Sequence, residues 1–96
     1  MIETILTIST AHISEEDNNI FMREQKISSE YIPMLTGCLG GWIFYKIESF
    51  EDELKSVGLS DAAISVFKYA FLELKVDFLR IDADADISNK LPKFDW

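Results

Sequence analysis

The stretch VDFLRIDADAD, residues 76–86, decides the fold because hydrophobic and polar residues alternate along it. An alternation with a period of two residues is typical of a strand that buries one face. We therefore expect one side of this strand to face the core and the other side to face solvent. The apolar side comprises Leu79, Ile81, Ala83, Ala85 and Ile87, and the polar side comprises Arg80, Asp82, Asp84 and Asp86.

The segment before this strand has the residue spacing of an amphipathic helix. Ser60 is a good N-cap, and Leu59 and Ile64 occupy the positions of a hydrophobic staple. The sequence predicts a helix from about residue 61 to about residue 74. Its inward residues are expected to be Ala63, Val66, Phe67, Ala70, Phe71 and Leu74.

A second helix is predicted within HISEEDNNIFMREQ, residues 12–25. Ser14 is a good N-cap and Asp17 lies three residues later, so the two residues form an approximate capping box. The acidic residues of the first turn complement the helix dipole. We expect this helix to run from about residue 15 to about residue 26. Its inward residues are expected to be Ile20, Phe21 and Ile27.

Two further stretches predict strands. TILTIST, residues 4–10, is rich in side chains branched at Cβ, and GWIFYKIE, residues 41–48, is aromatic and β-branched. YIPMLTGCLGG, residues 31–41, predicts a loop because proline and glycines interrupt it. SFEDELKSVG, residues 49–58, predicts a short helical turn or a loop.

The predicted order of elements is strand, helix, strand, helix, strand. This order indicates an α/β or α+β fold in one small domain, residues 1–96. We expect one three-stranded sheet, parallel where strands pair through a helix, with two helices on one face. The first and last strands should pair directly, because their apolar residues must share one core. The other face of the sheet should be partly exposed and should carry Trp42 or Phe44.

The composition is typical of a folded acidic domain. Hydrophobic residues make up 48% of the 96 residues, so the chain can bury a core. Lys and Arg number 9 and Asp and Glu number 17, which gives a formal net charge of −8. Such a chain repels nucleic acid and anionic membranes, and it favours basic protein partners.

The expected location is the cytoplasm of the cell that makes the protein. The single cysteine, Cys38, excludes an internal disulfide and favours a reducing compartment. No apolar run approaches the ~20 residues of a transmembrane helix. The N-terminus lacks the basic start and the cleavage site of a secretory signal. The sequence predicts no cofactor.

The alternating aspartates invite comparison with a calcium loop. Asp82, Asp84 and Asp86 match the first, third and fifth positions of an EF-hand. Ile87 stands where that loop requires glycine, and Lys93 stands where it requires a bidentate glutamate. The sequence therefore predicts no metal site of this kind.

A second interpretation is a small catalytic or metal-binding cluster. If the first and last strands are parallel neighbours, their carboxyl ends lie together, where open α/β sheets bind ligands. His12 would then approach Asp82 and Asp84, either to share a divalent metal or to act as a general base. Ser9 or Thr10 would supply the nucleophile. The alternative is that these three N-terminal residues make ordinary hydrogen bonds in the turn before the first helix.

A third interpretation is that the acidic residues bind a basic protein surface in place of nucleic acid. Carboxylates on alternate strand positions project from one face every ~6.6 Å and offer a row of negative charge to Lys and Arg. The alternative is a solvated edge strand whose charges prevent aggregation. The predicted partner-binding residues are Asp82, Asp84, Asp86, Glu51, Asp52, Glu53 and Trp42.

Three motifs follow one another along the chain: STAH at residues 9–12, DFLRIDADAD at residues 77–86 and LPKFDW at residues 91–96. Together they resemble an uncharacterised family of short acidic proteins carried on plasmids, integrative elements and phages. The members of that family have a first strand ending in Ser-Thr-x-His, a strand with alternating aspartates and a Leu-Pro-x-aromatic-acid-Trp end. In the last motif, Phe94 and Trp96 are expected to pack back onto the body of the domain.

The resemblance implies a genomic context more than a chemistry. Small acidic proteins from such elements are often inhibitors of host defence, among them anti-CRISPR proteins and antirestriction proteins that mimic DNA. We therefore expect a non-enzymatic protein that binds a basic, nucleic-acid-binding surface of a defence complex, with no direct binding to nucleic acid or membrane. The alternatives are a small enzyme that uses His12 with Asp82 or Asp84, and a regulatory or assembly protein such as a homodimer formed through the uncovered sheet face.

Overall fold

A computed structural model describes residues 2–26, 35–38 and 41–96. Within these ranges the chain forms strands and helices around one hydrophobic core. A 3-10 helix, Thr10–His12, follows the first strand, and a π-helical turn, Tyr69–Glu73, continues the last helix. The strands are β1 (Ile5–Ser9), β2 (Leu35–Cys38), β3 (Gly41–Tyr45) and β4 (Phe78–Asp82), and the α-helices are α1 (Glu15–Lys26), α2 (Phe50–Ser56) and α3 (Asp61–Lys68).

The strands form one mixed sheet in the order β1-β4-β3-β2. β1 runs parallel to β4, whereas β3 is antiparallel to both β4 and β2. The predicted fold class, a small domain of α+β type, is confirmed. Direct pairing of the first and last strands is confirmed as well, and it places β4 in the interior of the sheet.

Two features of the sheet differ from the sequence prediction. β2 is a fourth strand in a stretch that predicts a loop, and the neighbouring residues 31–34 and 39–40 lie outside the described residues. β3 and β4 are antiparallel, although the sequence predicts parallel pairing through one helix. The connection contains both α2 and α3. Two helical passes return the chain to the end of the sheet at which β3 finished, so β4 runs in the opposite direction.

The pairing register determines which side of the sheet is buried. Leu79 and Ile81 of β4 are buried, as the alternating pattern predicts. Their partners on β1 are Leu6 and Ile8, so both strands present apolar side chains to the same core. The helices therefore cover the face on which these four side chains lie.

Trp42 and Phe44 also lie on this buried face, and the prediction that one of them occupies the uncovered face is wrong. Phe44 is completely buried, and Trp42 is half-buried against the core. The register is the reason, because Phe44 pairs with Leu79 and Trp42 pairs with Ile81. The opposite face of β3 instead carries Ile43.

A cluster of aromatic rings attaches both long helices to the sheet. The ring of Phe44 lies 5.1 Å from that of Phe21 in α1 and 4.7 Å from that of Phe67 in α3, measured between centroids. Tilted pairs of this kind contribute about 0.5–1.5 kcal/mol each beyond their buried area. Of the other predicted inward residues of the first helix, Ile20 packs against the core and Ile27 lies outside the described residues.

The carboxylate of Asp17 joins the N-terminus of α1 to that of α3. Asp17 is 2% exposed, and its Oδ2 accepts hydrogen bonds from the hydroxyls of Ser14 (2.7 Å) and Ser60 (2.6 Å). Its Oδ1 accepts the backbone N–H of Ser60 at 2.9 Å. The two serines in turn cap their helices, since Ser14 accepts the N–H of Asp17 and Ser60 accepts the N–H of Ala63. One buried side chain therefore fixes the start of each helix against the other.

The predicted helix over residues 61–74 is present, but it is α-helical only as far as Lys68. The π-helical turn that follows is wider than an α-helical turn, and it rotates the residues after it about the helix axis. Leu74, predicted to face inward, is consequently 44% exposed. Lys75 then adopts a φ of 56°, the left-handed conformation that commonly ends a helix.

The close approach of β3 to β4 requires a glycine at position 41. A Cβ built on Gly41 would overlap the carbonyl oxygen of Ile81, a main-chain atom that cannot rotate away. We expect Gly41→Ala to lower the free energy of unfolding by about 3 kcal/mol, measured by urea denaturation. The control is Gly58→Ala, because Gly58 has open space around it and only its φ of 94° opposes a side chain, which costs about 1 kcal/mol. Equal losses in the two variants would contradict this explanation.

We also expect Asp17→Ala to destabilise the domain by about 3 kcal/mol, because it removes the acceptor of two hydrogen bonds from Ser60 at the start of α3 and of one from Ser14 at the start of α1. Glu16→Ala is the matched control. Glu16 is an exposed acid in the same first turn, and it should contribute only about 0.5 kcal/mol through the helix dipole. Thermal unfolding of both variants measures the difference, and a loss in Asp17→Ala no larger than in the control would show that the carboxylate does not join the helices.

Candidate functional site

The carboxyl ends of β1 and β4 lie side by side, with Ser9 opposite Asp82. His12 follows in the 3-10 helix and is completely buried. Its Nε2 accepts the backbone N–H of Ser88 at 2.8 Å, and its Nδ1 lies 2.7 Å from the carbonyl oxygen of Pro92. An amide N–H can only donate and a carbonyl can only accept, so these partners fit the neutral ring with its proton on Nδ1.

The predicted cluster of His12 with Asp82 or Asp84 is therefore wrong. Both ring nitrogens bond to main-chain atoms, so neither one is available for a carboxylate or a metal ion. Among residues 2–26, 35–38 and 41–96, no group of three or more His, Cys, Asp or Glu side chains could hold a metal. His12 acts as a structural bridge.

Ser9 and Thr10 also hold the turn after β1. Ser9 is 5% exposed, and its Oγ caps the 3-10 helix by accepting the N–H of Ala11 at 3.1 Å. The carbonyl of Thr10 accepts the N–H of Ile13 at 3.0 Å. These contacts match the alternative interpretation, in which Ser9 and Thr10 make ordinary hydrogen bonds in the turn before the first helix.

Residues 83–96, called the closing segment below, follow β4 and return to the turn after β1. The N–H of Phe94 donates to the carbonyl of Ala11 at 2.8 Å. The indole N–H of Trp96 donates to the carbonyl of Ile13, also at 2.8 Å. Both terminal aromatic residues are attached to the body of the domain, Phe94 through its main chain and Trp96 through its indole N–H. The STAH and LPKFDW motifs are thus in direct contact.

β4 ends at Asp82, and the prediction that strand alternation continues to residue 86 is wrong. Asp82 begins a turn, since its Oδ1 accepts the N–H of Asp84 at 2.9 Å and its carbonyl accepts the N–H of Ala85 at 3.2 Å. An aspartate side chain can bind a main-chain N–H two residues ahead, and this bond competes with sheet pairing. Asp84 and Asp86 are exposed in the segment that follows, so the three aspartates do not form a row on one strand.

The three aspartates also differ in their availability to a partner. Asp82 Oδ2 lies 2.9 Å from Arg80 Nη2, and the Asp82 side chain is only 16% exposed. The sequence analysis did not predict this ion pair, although the alternating pattern places Arg80 and Asp82 on the same face. Asp82 is thus engaged within the domain, whereas Asp84 and Asp86 are exposed to solvent.

The other predicted acidic residues lie at a different end of the domain. Residues 51–53 form the first turn of α2, which begins beyond the Tyr45 end of β3. Asp82 pairs with Gly41 at the opposite end of the same strand. The two groups of acidic residues are therefore separated by the length of the sheet and do not form one patch.

Trp42 of β3, also predicted to bind a partner, packs against α1. Its indole N–H donates to the Oδ1 of Asn18 at 3.0 Å, and its ring meets that of Phe21 edge-on at 6.1 Å. These contacts account for a half-buried tryptophan at this position. A role for Trp42 in partner binding stays a prediction.

A cleft of about 390 Å³ opens between the closing segment and the carboxyl ends of β1 and β4. It was not predicted, although the LPKFDW motif supplies three of its residues. Ile87, expected in the core, is 54% exposed beside the cleft because the strand ends before it. Aromatic and aliphatic side chains, two hydroxyl residues and one carboxylate line the cleft: Ile87, Phe94, Trp96, Ser9, Thr10 and Asp95.

Comparison with known proteins identifies the family. A domain found over residues 5–96 is described as the C-terminal domain of a family of unknown function, DUF5983. The match covers nearly the whole chain, including β1 and the closing segment, so the chain belongs to this family. No curated protein and no solved structure matches the chain. Within the described part of the chain, no helix is long and apolar enough to cross a membrane.

We expect His12→Ala to release the closing segment, because Ser88 and Pro92 lose their partners on the ring. The free energy of unfolding should fall by about 3 kcal/mol. Amide hydrogen exchange followed by NMR should become faster at Ser88 and Phe94. Lys93→Ala, which alters an exposed side chain of the same segment, is the control. Full protection of both amides in His12→Ala would disprove the bridging role.

Proposed function

We propose that this protein is a non-enzymatic inhibitor of a host defence system, of the anti-CRISPR or antirestriction type, carried by a mobile genetic element. It acts in the bacterial cytoplasm by occupying a basic, nucleic-acid-binding surface of a defence protein. The observation that carries the proposal is the acidic end of the domain, where exposed carboxylates surround the cleft. This acidic end comprises Glu15, Glu16, Asp84, Asp86 and Asp95.

The contacts of the closing segment bring these carboxylates to one end. Trp96 bonds to Ile13 just ahead of α1, whose first turn carries Glu15 and Glu16. Asp95 lies between the two anchored aromatic residues. A net charge of −8 attracts a basic surface over a long range and raises the rate of encounter. A protein surface that binds phosphates with Lys and Arg is such a target.

The non-enzymatic part of the proposal rests on the same contacts. His12, Ser9 and Thr10 are the residues best suited to chemistry at this end, and their described hydrogen bonds hold the turn after β1 and attach the closing segment to it. The mobile-element part rests on the resemblance of the three motifs to proteins from plasmids, integrative elements and phages.

The direct test is expression of the protein in bacterial strains that each carry one restriction or CRISPR system. We expect phage to plate more efficiently in at least one of these strains, because the defence protein can no longer bind nucleic acid. A strain without any defence system is the control for general effects on infection. If phage plate no more efficiently in any of the strains that carry a defence system, the result would contradict the proposal.

Two variants that lose the same number of negative charges distinguish binding through a specific surface from a general effect of net charge. The first replaces Asp84, Asp86 and Asp95 with Asn and leaves Asp82 intact, because Asp82 pairs with Arg80. The second replaces the acidic residues of α2, residues 51–53, with the corresponding amides. At about 0.5 kcal/mol for each exposed ion pair, the first variant should weaken binding to the defence protein about tenfold.

The measurement is the association rate with the defence protein at two salt concentrations. The first variant should associate more slowly and with a weaker dependence on salt, whereas the second should stay close to wild type. Equal rates and equal salt dependence in the two variants would show that the acidic end is not the binding surface.

A further inference from the structure

We infer that the cleft at the acidic end binds an arginine side chain presented by the basic partner. This inference deepens the proposed function and rests on it. The cleft is open to solvent on the same end as the exposed carboxylates, so a cationic side chain that approaches this end is attracted towards it. Its lining has the chemical groups that a guanidinium group uses.

The lining combines a carboxylate, aromatic rings and hydroxyl groups. Asp95 is its charged residue, and a guanidinium group binds a carboxylate through two parallel hydrogen bonds. Phe94 and Trp96 also line the cleft, and a planar, permanently charged guanidinium group stacks on aromatic rings of this kind. Thr10 adds a hydroxyl oxygen that can accept a further N–H group.

Two hydrogen bonds attach residues of the cleft wall to the segment after β1. Trp96 is 52% exposed, yet its indole N–H is bonded to the carbonyl of Ile13, so the ring is held with part of its surface open to solvent. Phe94 is held through its backbone N–H, which donates to Ala11. A preorganised site loses less conformational entropy when it binds a ligand.

Other occupants fit this lining less well. An anion would be repelled by Asp95 and by the exposed Asp84 and Asp86 beside the cleft. An apolar side chain would bury the carboxylate of Asp95 without a partner. A lysine ammonium is a compact and strongly hydrated charge, and it cannot make the paired hydrogen bonds or the planar stacking of arginine.

The test uses three short basic peptides that differ only at the central residue, which is arginine, lysine or the uncharged analogue citrulline. Each peptide is titrated into isotope-labelled protein and followed by NMR. We expect the arginine peptide to shift the amide resonances of Thr10, Ala83, Ile87 and Trp96, and to bind about fivefold more tightly than the lysine peptide. The citrulline peptide should bind more weakly than either. Equal binding of the three peptides, or shifts confined to other parts of the domain, would overturn the inference.

Two substitutions in the lining test its chemistry. Asp95→Asn removes the charge, and Phe94→Leu removes a ring while keeping the backbone N–H that bonds to Ala11. Each substitution should lower the affinity for the arginine peptide about three- to fivefold. Asp52→Asn removes one exposed charge at the opposite end of the sheet, and it should leave the affinity within about twofold of wild type. Unchanged affinity in both lining variants would exclude the cleft as the binding site.

The peptide experiment and the phage experiment can fail separately. Binding of the arginine peptide without protection of phage in any strain would support the cleft and overturn the proposed inhibition of host defence. Protection of phage that persists in full in Asp95→Asn and Phe94→Leu would overturn the role of the cleft and leave the proposed inhibition standing.

Discussion

The acidic end of this domain depends on the buried imidazole of His12. Each ring nitrogen bonds to the main chain of the closing segment, one to Ser88 and the other to Pro92. A buried polar group without a partner costs about 1–3 kcal/mol, so the ring and the segment stabilise each other. The hydrogen bonds of Phe94 and Trp96 then extend the same attachment along the turn after β1. The cleft and the carboxylates around it follow from this one attachment.

Elements whose signals lie in neighbouring residues could be predicted from the sequence. α1 has the predicted bounds of residues 15–26, because its cap and first turn are encoded by neighbouring residues. The β1–β4 pair could also be predicted, since two alternating apolar faces in a short chain must share one core. The antiparallel β3–β4 pair could not, because strand direction depends on the number of helical passes and the segment that forms α2 was locally ambiguous. β2 exists through its pairing with β3, whereas its local composition favours a loop.

For the candidate site, sequence identified the important stretches but not their roles. The sequence predicted that STAH lies close to the end of β4, because the carboxyl ends of parallel neighbouring strands lie at the same edge of a sheet. It left open whether His12 joins a carboxylate or makes ordinary hydrogen bonds in a turn, because a sequence pattern does not identify main-chain partners such as those of Ser88 and Pro92. The alternation of DADAD was extended too far for a similar reason. Asp82 is the last residue of β4 and also the first residue of a turn, because its side chain accepts the N–H of Asp84 and ends the strand there.

Charge alone cannot give this domain a preferred partner. Acidic residues occur at both ends of the sheet, in α2 and around the cleft, so the field of the whole molecule attracts any sufficiently basic surface. Long-range attraction acts mainly on the rate of encounter, whereas the lifetime of a complex depends on groups that fit at contact. At the acidic end, Phe94 and Trp96 are each anchored by one hydrogen bond and line a cleft together with Asp95. The first turn of α2 instead has Glu51 within 4.0 Å of Lys55 and 3.8 Å of Lys68, so part of its charge is already compensated within the domain. Discrimination between basic partners should therefore arise at the end that His12 holds in place.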